Sequence, residues 1–320
     1  FFFQAEDGIR DILYFMLLAL PYSIYASEPV KETYVFDVTA DGDTLRLDRY
    51  PAVKSADNKG QVLIFAFGGG FRGGSRDSAS FMPFFRFLVE NGVTVVSTDY
   101  RTALKNVDPA RLSTPQGFKD ALYEAISEAV TDFYKATAFV IEHSSLWNAD
   151  STEIIACGSS AGAITVLQAE YGISNDMVPP GLLPDGFNYA GVIAMAGAVC
   201  AEGVPVWNTD SAPIMLFHGD ADCVVPFEKA VIDGFGLWGS STISRELSGR
   251  GVPHVFHIVR GGGHEVSGTP MSRYKGEILD FIHRTATPGS CRIVTVEEKT
   301  PGCENYKTDF TIEDYLRSNM

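Results

Sequence analysis

Basic charge, paired cysteines and long apolar runs are all scarce in this chain of 320 residues, and each scarcity closes off a class of function. Lys and Arg number 25 against 40 Asp and Glu, a net charge of −15, so nothing is available to neutralise a phosphate backbone and nucleic acid is excluded as a partner. Neither a C-x-x-C nor an H-E-x-x-H occurs. A structural or catalytic zinc site is therefore without a ligand set, and no motif asks for a cofactor. The five cysteines are odd in number and do not pair off. Ile12 to Ala26 is uncharged and largely apolar, but it falls short of the roughly 20 residues of a membrane span and has the length of a signal-peptide core. No internal repeat and no low-complexity linker divides the chain.

What is present in quantity is core. With 45% hydrophobic residues the chain can fill one large α/β domain. The first 26 residues are set aside as a signal segment: Ala26 supplies the small residue a cleavage site needs, while Phe1 to Arg10 resembles translated sequencing-adapter read-through. Export implies a secreted or periplasmic protein with no stable membrane insertion after removal of the signal, and it permits disulfides. Cys291 with Cys303 and Cys200 with Cys223 are the candidate pairs, and Cys157 reads as a small buried hydrophobe.

Periodicity orders the rest. Tyr34–Val38 and Thr44–Asp48 alternate apolar with polar around the turn signal Asp41-Gly42, which predicts an antiparallel hairpin. Val62–Phe67, Val93–Ser97, Glu153–Cys157, Gly191–Ala196, Pro213–Phe217 and Val255–Val259 are short, continuous apolar runs of the kind a sheet covered on both faces requires. Helical spacing appears over Phe81–Val89, Lys119–His143, Ala163–Ala169 and Ser272–Arg284. Strands alternating with helices predict a doubly wound, mostly parallel sheet with right-handed crossovers and helices on both faces.

Ligands of such a sheet bind at the carboxyl ends of its strands, and four of these loops carry chemistry. Gly158-Ser159-Ser160-Ala161-Gly162 is a G-x-S-x-G between a strand and a helix, the context that throws a nucleophilic serine out on a strained turn. A hydroxyl needs a base, and His264 follows Gly261-Gly262-Gly263 after the strand ending at Val259. The base needs a carboxylate to fix its tautomer. Asp222, in His218-Gly219-Asp220-Ala221-Asp222, is the candidate, with Asp220 and the more distant Glu202 as rivals. His218 reads as a buttress of that loop, whereas His257 within a strand and His143 and His283 on helices read as structural. Gly68-Gly69-Gly70 ends a central strand, so Gly69 and Gly70, with Ala161, are the expected backbone donors to an oxyanion. Phe71 and Trp207 lie in loops at the catalytic edge and are candidates for substrate contact, with a core role as the equal alternative.

F-G-G-G-F at 67–71, D-Y-R at 99–101, G-S-S-A-G at 158–162, H-G-D-A-D-C-V-V-P at 218–226 and G-G-G-H at 261–264 together resemble the α/β-hydrolase superfamily. The resemblance is nearest to carboxylesterases of the hormone-sensitive-lipase type and to secreted bacterial feruloyl and acetyl esterases, over roughly 34–285. It implies a serine esterase domain at 27–285, with 286–320 as a C-terminal tail, acting on a small-molecule or polysaccharide ester. Phe67 stands where that family has a histidine, Ser159 where it has an acidic residue, and Ala163 where it has a second glycine. A serine peptidase or lipase on the same fold is the alternative, and a non-catalytic binding protein is disfavoured by the intact Ser160, Asp222 and His264.

Overall fold

The computed structural model describes residues 29–53, 59–232, 234–287, 289–300 and 306–319. The signal segment and Cys303 lie outside these residues. The opening hairpin is present as β1 (Glu32–Val38) and β2 (Thr44–Tyr50), paired antiparallel. The apolar runs follow as β3 (Val62–Ala66), β4 (Thr94–Thr98), β5 (Ile154–Ser159) and β6 (Gly191–Met195). All four are buried at every position. Helices on both faces exclude water from them, so no polar alternation is needed. Between these strands run α1 (Met82–Glu90), α2 (Pro115–His143) and α3 (Ala161–Ser174).

A short strand, β7 (Ala198–Glu202), leaves the main sheet before β8 (Ile214–Gly219) returns to it. The chain then forms β9 (Lys229–Ile232), β10 (Phe235–Gly239), α4 (Ser240–Arg250), β11 (His254–Arg260), α5 (Lys275–Thr285), β12 (Val294–Lys299) and α6 (Ile312–Asn319). Nine strands lie in the order β1-β2-β4-β3-β5-β6-β8-β11-β12, and from β4 through β12 every pairing is parallel. A separate antiparallel sheet has the order β7-β10-β9.

The α/β architecture, parallel sheet and opening hairpin agree with the sequence reading. Its boundary at 285 does not contain the whole sheet, because β12 pairs with β11 beyond it. Helix α3 is buried on nearly every face, since the nine-stranded sheet covers one side, and on another Gln168 accepts from Cys200 N at 2.8 Å in β7. The helix expected over 272–284 is broken at Tyr274, between a short turn at Pro270–Arg273 and α5. Among the described residues no helix is long and apolar enough to cross a membrane.

Candidate active site

Ser160 stands between β5 and α3 with φ 53° and ψ −119°. A side chain in that region stores strain of about 1–3 kcal/mol, and the turn holds it by close packing. A Cβ on Gly158 would lie 2.2 Å from the Gly162 carbonyl oxygen, and one on Gly162 would lie 2.1 Å from that of Ala66. Only glycines let strand, turn and helix approach so closely. Ser160 N donates to the Met195 carbonyl of β6 at 2.8 Å, which pins the turn to the sheet edge.

His264 reaches the serine from the loop after β11. Ser160 Oγ and His264 Nε2 are 2.9 Å apart, and His264 Nδ1 lies 2.8 Å from Asp222 Oδ2. A carboxylate only accepts, so Nδ1 carries the proton and Nε2 is free to take the hydroxyl's. Asp222 is wholly buried, and its other oxygen accepts from Val224 N at 2.8 Å and Val225 N at 3.0 Å. Burial pushes the carboxyl's pKa up, but His218 and His264 outweigh it and hold the group well below the usual carboxylate range. Asp222 is thus a fixed anion. His218, equally buried, lies with Nε2 3.5 Å from Asp222 Oδ2 and Nδ1 2.8 Å from Ser240 Oγ. It supports the acid loop, as expected.

The rival acids are placed elsewhere. Asp220 accepts from Gly261 N at 2.7 Å, from Arg260 Nη1 at 3.1 Å and from Tyr306 at 3.1 Å, so it braces the histidine loop without touching His264. Glu202 is exposed at the end of β7. His257 stacks on Phe217 at 4.6 Å and His143 on Phe139 at 3.9 Å.

Gly69 and Gly70 take φ 143° and 62°, and Phe71 after them φ 57°. In this loop the Gly69 carbonyl accepts from Arg72 N and Gly73 N, while among the described residues the N–H groups of Gly69 and Gly70 meet no protein acceptor. Ala161 is the first residue of α3, where a backbone N–H has no intrahelical acceptor. Phe67, in the place of a histidine, stacks on Tyr100 at 4.5 Å, and the Tyr100 hydroxyl donates to the Phe67 carbonyl at 2.6 Å. Aromatic packing therefore supports the glycine loop where the resembled family has a histidine.

Two cavities meet at Ser160. One, of about 290 Å³, is mostly apolar and runs from Gly70, Phe71 and Ala161 to Leu237, Tyr315 and Leu316. The other, of about 620 Å³, is more open and is lined by Gly68, Gly69, His264, Phe84 and Met271. Phe71 lines the first. Trp207 lines neither: it is fully buried, edge-on to Tyr171 at 5.3 Å, and belongs to the core. Its position after a strand end suggested substrate contact, but the chain folds it back under α3.

Sequence reasoning noted Ser159 only as a departure from the family and missed that its Oγ donates to the Ser267 carbonyl at 2.7 Å, which ties the elbow to the histidine loop. It also missed α6, whose Ile312, Tyr315, Leu316 and Asn319 recur at helical spacing and all line the first cavity. Cys200 and Cys223, a candidate disulfide, are free thiols, as are Cys157 and Cys291. Cys200 lines the first cavity, where burial pushes its thiol up to about 12. No cluster among the described residues has the ligands for a metal ion.

The BD-FAE family model matches residues 47–176, from β2 through α3, a stretch that includes Gly68–Gly70 and Ser160. No curated protein matches the chain. Among solved structures, a thermophilic esterase from the Planctomycetes species Thermogutta terrifontis, in its native form, is similar with TM-score 0.56 at 19% identity, over 87% of this chain and 96% of that one. The same esterase with propionate bound has TM-score 0.54 at 20% identity, over 80% of this chain and 96% of that one. Esterase 2 of Thermogutta terrifontis phosphorylated by paraoxon has TM-score 0.53 at 19% identity, over 80% and 92%. At these identities the likeness is one of fold.

Proposed function

We propose that this chain, an α/β-hydrolase by fold, is a serine carboxylic ester hydrolase acting through an acyl-enzyme. The observation that carries the reading is the continuous chain Ser160 Oγ, His264 and Asp222, at 2.9 and 2.8 Å, opening where two cavities meet. Ser160 Oγ attacks the ester carbonyl carbon as its proton passes to His264 Nε2, and Asp222 stabilises the imidazolium so formed. The carbonyl oxygen, now an oxyanion, is met by the N–H groups of Gly69, Gly70 and Ala161. When the carbon–oxygen bond to the alcohol breaks, His264 returns the proton to the departing oxygen. Water, activated by the same imidazole, then attacks the acyl-serine and releases the acid.

His264 lines only the open cleft, and the leaving oxygen must lie beside it to take up its proton. The alcohol therefore occupies the open side and the acyl group the apolar cavity. An apolar cavity of about 290 Å³ suits a short acyl chain or a single aromatic ring. Acetyl or feruloyl groups on plant polysaccharides, or small esters, are the substrates we infer. The BD-FAE match and the propionate-bound esterase support that class, and the open side leaves room for a bulky alcohol. The apolar run at 12–26 supports export, so the proposed site of action is outside the cytoplasm.

A panel of nitrophenyl esters of increasing acyl length, a feruloyl sugar and an acetylated xylan tests this reading. Turnover should be highest for a short or single-ring acyl group and should tolerate a sugar as alcohol. Cleavage of a peptide amide with no ester turnover would overturn it. Sequencing the mature N-terminus of protein recovered from the medium tests export.

A further inference from the structure

We infer that α6 is the element that sets acyl length, as a wall of the acyl cavity. The inference rests on the esterase reading above. This helix lies beyond the stretch where the family resemblance ends, yet its sequence is built to dock. Thr311 and Asp314 cap it reciprocally: Thr311 N donates to Asp314 Oδ2 at 2.9 Å, and Asp314 N donates to Thr311 Oγ1 at 3.3 Å. Its apolar stripe is Ile312, Tyr315 and Leu316. Tyr315 and Leu316 are buried.

Two side chains tie it. The Asn319 side-chain amide donates to the Val224 carbonyl at 2.9 Å, and Tyr306, upstream of the helix, donates to Asp220 at 3.1 Å. Both anchors fall on the loop that carries Asp222. The stripe thereby lines the cavity together with Phe71 and with Ile232 and Leu237 of the small sheet. An acyl chain entering from Ser160 runs between these walls, so the side chains of α6 meet it. A methylene more or less in such a pocket changes the specificity constant by about 10- to 200-fold.

Deleting the helix would expose the acid loop, so point variants are the test. Leu316→Ala should raise the kcat/KM ratio of nitrophenyl octanoate to nitrophenyl acetate by about tenfold. Leu316→Trp should lower that ratio by a similar factor. Arg317→Ala, on the exposed face of the same helix, should leave the ratio unchanged, and so should any of the three variants when the alcohol is varied at fixed butyryl group. Melting temperatures are measured alongside, so that a loss of fold is not mistaken for a loss of selectivity.

An active wild type whose acyl ratio is unmoved by both Leu316 variants overturns the role of α6 and leaves the esterase reading standing. So does a response confined to the alcohol series. A wild type that turns over no ester overturns the reading itself.

Discussion

The nine-stranded sheet and the three-stranded sheet both present residues to Ser160, but they do so by different means. At the carboxyl edge of the large sheet the chemical groups sit at strand ends, and several depend on a special backbone: the elbow at φ 53°, the glycine loop before Phe71, and Gly261 at φ 73° ahead of His264. The small sheet and α6 offer apolar side chains from ordinary strand and helix backbone. Reactivity constrains position to fractions of an ångström, whereas a pocket wall asks only for apolar area of the right shape. Damage to the first region should therefore remove turnover, and damage to the second should redistribute it.

Ser160→Ala is the strongest way to break that division. Turnover should fall by several orders of magnitude while the melting temperature stays the same or rises, because alanine removes the nucleophile without adding volume. Steady-state kinetics on the favoured ester checks it, and surviving turnover would place the nucleophile elsewhere.

The acid loop allows a finer cut, since Asp220 and Asp222 are both buried within one turn. Asp222→Asn should cost about 10⁴ in kcat with the fold retained, by the logic of a mispositioned tautomer. Asp220→Asn loosens the contacts to Arg260, Gly261 and Tyr306, and should lower the melting temperature with far less effect on kcat. Reversed phenotypes would exchange the two roles.

A third variant probes the glycine loop. A Cβ on Gly69 would lie 2.1 Å from the Gly73 carbonyl oxygen, so Gly69→Ala must shift the loop and its donors. We expect kcat to fall by about 10²–10³ with KM changed little, the effect of losing one oxyanion donor. An unchanged kcat would show that this loop does not meet the oxyanion.

The elements that carry chemistry were also the legible ones, because a strained turn or a backbone donor selects glycine and leaves a mark in the sequence. Central strands showed as apolar runs for a related reason: burial on both faces permits nothing else. Helix α2 was found but entered late, at Lys119, because its true start is a cap, Thr114 Oγ1 accepting from Gly117 N, with Pro115 next. What escaped had weak local signals. Strands β9 and β10 are short and half-buried, with Gly236 packed against the Ala230 carbonyl. Helix α4 buries only Ile243 and Leu247 among large apolar residues, amid four serines, and β12 is an exposed edge rich in charge. These segments are specified by what they pack on. Trp207 misled for the same reason, since a loop tryptophan looks alike whether it faces a substrate or the underside of α3.

The smallest effect sharpens the comparison where the two sheets share a layer. Glu170 on α3 is fully buried and accepts from Ala212 N at 2.7 Å. Burial pushes its carboxyl up to about 8 from the ordinary 4.5. A folded value above the unfolded one means that the folded state keeps the proton longer. The cost of this glutamate is therefore absent below pH 4.5 and grows until about pH 8. Glu170→Gln should raise the melting temperature by several degrees at pH 8 and leave it unchanged near pH 4, by calorimetry. A gain independent of pH would show that Glu170 is not protonated in the fold.

The central claim is that Ser160, activated by His264 and Asp222, is the residue that becomes acylated. Peptide mass spectrometry after incubation with paraoxon, which phosphorylates the fold neighbour, tests it most directly. The account predicts one diethylphosphoryl adduct, on Ser160, formed at a rate that tracks loss of ester turnover and lost in His264→Ala over the same interval. Complete loss of turnover with the adduct on another residue, or full turnover with Ser160 modified, would contradict it.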